Sequence, residues 1–349
     1  MTSRLVVLDA DVLGRQRTGD ETYVSGLLRE LPALGPELRF AAVTRRPDLV
    51  PDGVETVELA ARSQPVRMAL TLPRLLRSLR PALTHFQHVV APGTRGPAVV
   101  TIHDLSFERD PRLMSRRDRF FFRTMVPRSV RRADRVLAVS ERTRDDLVEL
   151  YGIDESKIVV TPNGVDPVFS PEGARRNGPP YALFVGALHV RKDPTAAIEA
   201  LALISEDLKL VFAGPDKGAG AEARQARDRL GLGDRVEFAG HVAKEELPAL
   251  YRGAACLVLP SRYEGFGLPV VEAMASGTPV VASNAGALPE IAGGAAILVE
   301  PGDPAALAEG IERAVADRDR LVRAGLERAR QFSWTETALK TLDVYRELV

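Results

Sequence analysis

The chain has 349 residues, 45% hydrophobic and 27% charged, with 47 Lys and Arg balanced by 47 Asp and Glu. That length predicts two domains, the mixture is that of a folded globular protein, and a net charge of zero speaks against a dedicated nucleic-acid binder. The single cysteine, Cys256, excludes an internal disulfide and fits a reducing, cytoplasmic setting. No apolar run approaches the roughly 20 residues of a membrane span, and MTSRLVVLDADVLG carries no leader pattern.

The first elements are a strand at 5–10 (LVVLDA), a helix from Glu21 to Leu34 and a strand at 40–44 (FAAVT). THFQHVV brings His85 and His88 to the end of another strand, and AVVTIHD (98–104) ends on His103 and Asp104. From Arg112 to Arg135 there are nine Arg and only two acids, interleaved with Phe120, Phe121, Phe122 and Met125. Such a helix can rest on an anionic lipid surface; it can equally put its apolar side in a core and its Arg side in water. RVLAVS (135–140) reads as a buried strand with a helix after Ser140. TPNGVDPVFSPEGARRNGPP (161–180), with five prolines and three glycines, reads as a linker.

The second half repeats the alternation: YALFVGAL (181–188), LKLVFAG (208–214), RVEFAG (235–240), ACLVLP (255–260), TPVVAS (278–283) and AAILVE (295–300). Strands alternating with helices predict parallel sheets covered on both faces. Two such sets predict two Rossmann-like domains, an N-terminal one over 1–165 and a C-terminal one over 181–331 joined by 166–180. Asp303 should cap a helix with Pro304 at its first position. A last helix, 332–349, is expected to pack back on the N-terminal domain, with Ser333 as its cap. Charge divides unevenly: up to Ser170 there are 26 basic and 22 acidic residues, and afterwards 21 and 25.

Ser261 to Ser283, SRYEGFGLPVVEAMASGTPVVAS, carries the densest chemistry. Glu264 and Glu272 flank a Gly-Phe-Gly turn, Gly265 to Gly267, that runs into a helix near Leu268. Backbone amides at a helix start receive anions, glycines admit a ligand to the backbone, and carboxylates accept from sugar hydroxyls. The bland alternative is a surface Glu beside one that complements a helix dipole. Arg191 and Lys192, in GALHVRKDP at a strand end, suit a diphosphate, or are a solvated basic turn. Gly19, in RQRTGDETYVSGLL, allows close approach before the first helix. His103 and Asp104 stand where open α/β sheets bind ligands, or are a packed His and a capping Asp. His85 and His88 have metal-like spacing but no acid or Cys partner clusters with them, so they read as structural or acceptor-side. Asp9-Ala10-Asp11 matches a metal-binding DxD pattern that also arises by coincidence, as at Asp317-Arg318-Asp319.

Taken together, SRYEGFGLPVVEA with its Glu-x7-Glu spacing, VGALHVRKDP, PNGVDPVFSP and VTIHDLSF resemble the retaining glycosyltransferases of the GT-B superfamily, family four, over nearly the whole chain. HDLSF followed by an Arg-rich helix is most similar to bacterial mannosyl- and rhamnosyltransferases of polysaccharide assembly. The resemblance implies two Rossmann-like domains facing an interdomain cleft, with the C-terminal helix crossing back. It implies retaining transfer of a hexose, GDP-mannose favoured, to a glycan or lipid-linked acceptor, with no metal and no further cofactor. Glu264 would contact the donor sugar, Glu272 the ribose, and Arg191 with Lys192 the leaving diphosphate. The amides of Gly265, Phe266, Gly267 and Leu268 would hold sugar and phosphate, Gly19 would lie against the donor and His103 near the sugar. Asp104, His85 and His88 would lie on the acceptor side, and 112–135 could touch the inner face of the plasma membrane. The TGDETY loop departs from the family's usual glycines, and Asp193 stands where Asn is frequent. Rival expectations are a GT-B sugar-nucleotide epimerase or hydrolase, or a non-catalytic nucleotide-sugar binder.

Overall fold

The structure is a computed structural model that describes residues 4–15, 19–60, 63–204 and 207–349. The chain divides into two units: Met1–Gly164 with Ser333–Val349, and Val165–Phe332. Each is a Rossmann-like unit built on one parallel sheet.

The strands of unit 1 are β1 (Arg4–Asp9), β2 (Leu38–Thr44), β3 (Glu55–Glu58), β4 (Leu83–Gln87), β5 (Ala98–Ile102), β6 (Arg135–Ala138) and β7 (Ile158–Val160), in the order β3-β2-β1-β4-β5-β6-β7. Neighbours pair in parallel, with Val6 opposite Phe40 and Val100 opposite Val136. Alternate residues feed two cores: Val7, Val100 and Ile102 join one cluster, Val6, Leu8 and Val99 the other. Burial on both faces explains why these strands read as unbroken apolar runs. The Gly19–Leu34 helix covers one face, and the Trp334–Leu348 helix packs on it. Gly26 makes that packing possible, because a Cβ there would lie 2.3 Å from the Trp334 ring. Ser333 caps the last helix by accepting from the Glu336 amide at 3.1 Å.

Unit 2 contains β8 (Tyr181–Val185), β9 (Lys209–Ala213), β10 (Val236–Gly240), β11 (Cys256–Leu259), β12 (Val280–Ser283) and β13 (Ile297–Val299), ordered β10-β9-β8-β11-β12-β13. Phe184 and Phe212, with ring centroids 4.9 Å apart, anchor its core, and Cys256 is fully buried there. Asp303 accepts from the amides of Ala305 and Ala306, both at 3.0 Å, at the start of the Pro304–Ala316 helix.

Strand order reverses between β1 and β4 in unit 1 and between β8 and β11 in unit 2. Loops leaving the carboxyl ends of such strands diverge and leave a crevice, where open α/β sheets take their ligands. The segments after β8 and β11 hold Arg191, Lys192 and Glu264; those after β1, β4 and β5 hold Asp20, His88 and His103.

Candidate active site

In unit 2 the chain leaves β8 through Gly186, at φ +131°, and forms a tight turn over Val190–Lys192. A Cβ on Gly186 would meet Lys192 Cε at 2.7 Å, so the lysine stem lies where only glycine leaves room. His189 Nδ1 accepts from the Arg191 amide at 3.1 Å. Asp193, left-handed at φ +49°, pairs with Arg262 at 2.8 Å, and the Arg262 amide donates to the Arg191 carbonyl at 2.8 Å. The loops after β8 and β11 are thereby tied together.

Glu264 is the hub. Lys192 Nζ donates to its Oε1 at 3.0 Å, Ser261 Oγ to the same oxygen at 2.8 Å, and Arg191 Nη1 to Oε2 at 3.2 Å. Only 6% of the residue is exposed. Burial alone would raise its pKa, but the two cations and these hydrogen bonds outweigh it and bring the carboxyl down to about 2. The Ala287 amide donates to the Glu264 carbonyl at 2.8 Å, and Gly286, at φ +58°, passes so close that a Cβ would sit 2.3 Å from that oxygen.

Beyond Glu264, Gly267 at φ +101° turns the chain into the Leu268–Ala275 helix, whose start carries no side-chain cap. The Phe266 ring packs edge-on against Phe332, with centroids 5.6 Å apart. Glu272 sits further along this helix and accepts from the Tyr251 hydroxyl at 2.7 Å. Burial lifts its pKa to about 7 against the lowering influence of that hydroxyl and of Lys244 and Lys192. Lys192 therefore bears electrostatically on both carboxylates. One end of this edge is a cation pair on an ionised carboxylate; the other is a carboxyl poised to change charge near neutrality.

In unit 1, Gly19 is the exposed first residue of its helix, and Asp20 follows it. Asp20 Oδ2 lies 3.2 Å from His88 Nε2, and Oδ1 lies 3.9 Å from His103 Nδ1. Asp20 is thus an acidic partner for His88, 68 residues away in sequence, which corrects the expectation that none stood near. Burial lowers His88, but Asp20 and Asp104 outweigh it and hold the imidazole above its ordinary value. Burial brings His103 down to about 4. Asp104 accepts from the Ser106 amide at 3.0 Å and its hydroxyl at 2.7 Å, capping the turn that follows β5.

One expectation is overturned. His85 is not on the acceptor side: it is fully buried, with Nδ1 at 2.5 Å from the Tyr345 hydroxyl and Nε2 at 2.7 Å from Thr101 Oγ1. Burial drives its pKa to about 3, so it is a neutral core group joining β4, β5 and the last helix. The Asp9-Ala10-Asp11 pattern faces arginines: Arg67 bridges Asp9 and Asp11, Arg45 grips Asp11 at 2.6 and 2.9 Å, and Arg15 joins at 2.5 Å. Three guanidinium groups occupy the place a DxD metal would need. Sequence reasoning did not single out Ser261, Tyr251, Gly186, Gly286 or Asp20 as part of these clusters. Gly186 alone left a signal, as a glycine closing a strand just ahead of Arg191.

Residues 165–332 match the family model described as Glycosyl transferases group 1, and residues 17–169 match Glycosyltransferase Family 4. The O-antigen chain mannosyltransferase B of Escherichia coli is 29% identical over 290 residues, 78% of this chain and 76% of that one. A D-inositol 3-phosphate glycosyltransferase of Salinispora tropica is 34% identical over 251 residues, 63% of this chain and 52% of its own, so the match spans about half the length of that relative. Among solved structures, sucrose-phosphate synthase from Thermosynechococcus elongatus superposes with a TM-score of 0.83 at 24% identity, covering 99% of each chain. Anabaena HepE, solved with UDP and glucose, gives 0.75 at 19% identity, covering 99% of this chain and 100% of that one. The two family models between them take in residues 17–332, nearly all of both units, and the chain belongs to the glycosyltransferases of GT-B architecture.

Proposed function

We propose that the protein is a retaining hexosyltransferase that uses a nucleotide-diphosphate sugar and needs no metal to neutralise the diphosphate. The observation that carries this reading is the convergence of Arg191 and Lys192 on Glu264 at the carboxyl ends of β8 and β11. In this reading the two cations offset the charge that grows on the departing diphosphate. The anionic Glu264 accepts from sugar hydroxyls, Glu272 from the ribose, and the Gly265 to Leu268 amides hold sugar and phosphate. The bond from the anomeric carbon to phosphate oxygen breaks, a bond to the acceptor oxygen forms on the same face, and the acceptor's proton passes to the leaving phosphate. Gly19 and His103 of unit 1 serve the sugar. His88 and Asp104 serve the acceptor.

GDP-mannose is the first donor to test, because an O-antigen mannosyltransferase is among the relatives. A glycan or lipid-linked glycan of a cell-surface polymer is the matching acceptor. No helix of the described residues is long and apolar enough to cross a membrane. Surface contact through the Arg116–Arg132 helix fits a lipid-linked acceptor: Phe120 is 75% exposed beside Arg116, Arg119 and Arg123. Incubation with GDP-, UDP-, ADP- and dTDP-sugars and an acceptor extract tests the reading. Nucleotide release with one donor, dependent on acceptor, supports it. No release from any donor contradicts it.

A further inference from the structure

Unit 1 gathers a second set of chemical groups that the diphosphate chemistry does not use. Asp20, His88 and His103 each present one ligand atom, and these atoms all lie within 4.8 Å of one another. They come from the segments that follow β1, β4 and β5, at the sheet edge where strand order reverses. We propose that Asp20, His88 and His103 form a binding site for a divalent d-block cation of the zinc or cobalt class.

Four observations carry this. The donor set, two imidazoles and a carboxylate, suits such ions rather than magnesium or calcium. Its tautomer is prepared: Gln87 Oε1 lies 2.8 Å from His103 Nε2, and a carbonyl oxygen only accepts. With the Gln87 amide so oriented, the His103 proton sits on Nε2 and the Nδ1 lone pair faces Asp20. Ligating histidines are held by such an outer partner on the second nitrogen. The 3.9 Å between His103 Nδ1 and Asp20 Oδ1 is too long for a hydrogen bond, and a bridging cation would fill it. Finally, His88 is held at φ +58°, a left-handed conformation that is unfavourable for a non-glycine residue. Its amide donates a hydrogen bond to the Thr101 carbonyl at 2.9 Å, which fixes it there with the ring toward Asp20. Strain of this kind persists where it positions a functional group.

The dimensions are close to those required. Metal bonds of about 2.0–2.2 Å place tetrahedral donors about 3.4 Å apart. The Asp20–His88 pair, at 3.2 Å, meets that, and His103 needs a short inward turn of its ring. The Asp20 side chain is 29% exposed and that of His88 18%, which gives an entry path and leaves coordination positions open to water. A cation here takes the Nδ1 lone pair of His103 and so competes with a sugar at that nitrogen. That consequence rests on the function proposed above; the binding itself does not.

Full-length protein without an affinity tag is titrated with Co²⁺, followed by visible absorption, and with Zn²⁺ by calorimetry. The expected result is saturable binding of one equivalent. Asp20→Asn and His88→Asn should each weaken binding by roughly 100-fold or more, beyond the loss of an outer-shell partner. Asn tolerates the left-handed backbone at position 88, and Asp20→Asn preserves shape, so unchanged melting temperatures check both folds. His241→Asn, on the exposed surface of unit 2, should bind as wild type does. Absence of a cobalt spectrum in the wild type, or equal binding by both Asn variants, overturns the proposal.

Discussion

Glu264 and Glu272 lie on one short segment and are driven in opposite directions. Two cations hold the first ionised, while burial keeps a proton on the second up to about pH 7. Lys192→Ala removes one of Glu264's cations and should lower turnover by about 100–1000-fold, as loss of one preorganised electrostatic group does. Steady-state kinetics with an unchanged melting temperature is the check. The Glu272 pKa is raised by folding, so its contribution to stability is fully present below the unfolded value near 4.5 and is lost as pH rises through about 7. In the proposed reading, ribose hydroxyls donate to the ionised form. Nucleotide affinity should therefore rise between about pH 6 and 8, and binding at pH 7 should release protons. Calorimetry in buffers of different ionisation enthalpy reads that release, and Glu272→Gln should abolish it. His85 makes the contrasting prediction. Replacing it with Leu strands the Tyr345 hydroxyl and leaves the Thr101 hydroxyl only its bond to Tyr23; it should cost about 2–4 kcal/mol of stability, seen by chemical denaturation, with little change in turnover per folded molecule.

At the scale of elements, long apolar runs and caps were legible in the sequence, and tertiary partners were not. β1, β5 and β8 read as strands because both faces are buried. Asp303 and Ser333 read as caps because a cap is chosen by residues two or three positions away. β3 (ETVE) and β7 (IVV) lie at the sheet edges and are too short to leave a period. Glu264 could be singled out because the glycines around it are contiguous in sequence. Tyr251 could not, because its tie to Glu272 comes from two separate helices packing together. The DxD pattern misleads because Arg67 and Arg45, which decide its meaning, lie 34 to 58 residues away.

The Arg116–Arg132 helix is divided along its length. Phe122 packs on His88 and Phe107, and Val126 and Val130 are buried, while Phe120 faces out with its arginines. The bland and the lipid readings thus apply to different sides of one helix. Co-sedimentation with vesicles of anionic lipid should fall at least severalfold in Phe120→Ser with Arg119→Glu, and high salt should weaken the wild-type interaction. Equal sedimentation by variant and wild type would rule out this helix as the contact.

At the scale of the molecule, the same construction appears twice. A parallel sheet reverses its strand order, and the loops at the reversal carry the chemistry. Unit 2 places cations and carboxylates there, and unit 1 a carboxylate and imidazoles. The chain doubles back so that its last helix completes the first unit, with Trp334 seated on Gly26 and Tyr345 on His85. The claim at the centre is that the unit 2 edge binds an activated sugar and supports its transfer with retained configuration. The most direct test is NMR of the product formed from GDP-α-mannose, or from whichever donor releases nucleotide, with acceptor present. The account predicts an α-linked product, one nucleotide released per sugar transferred, and loss of both in Glu264→Ala. A β-linked product, or undiminished transfer by Glu264→Ala, would contradict it.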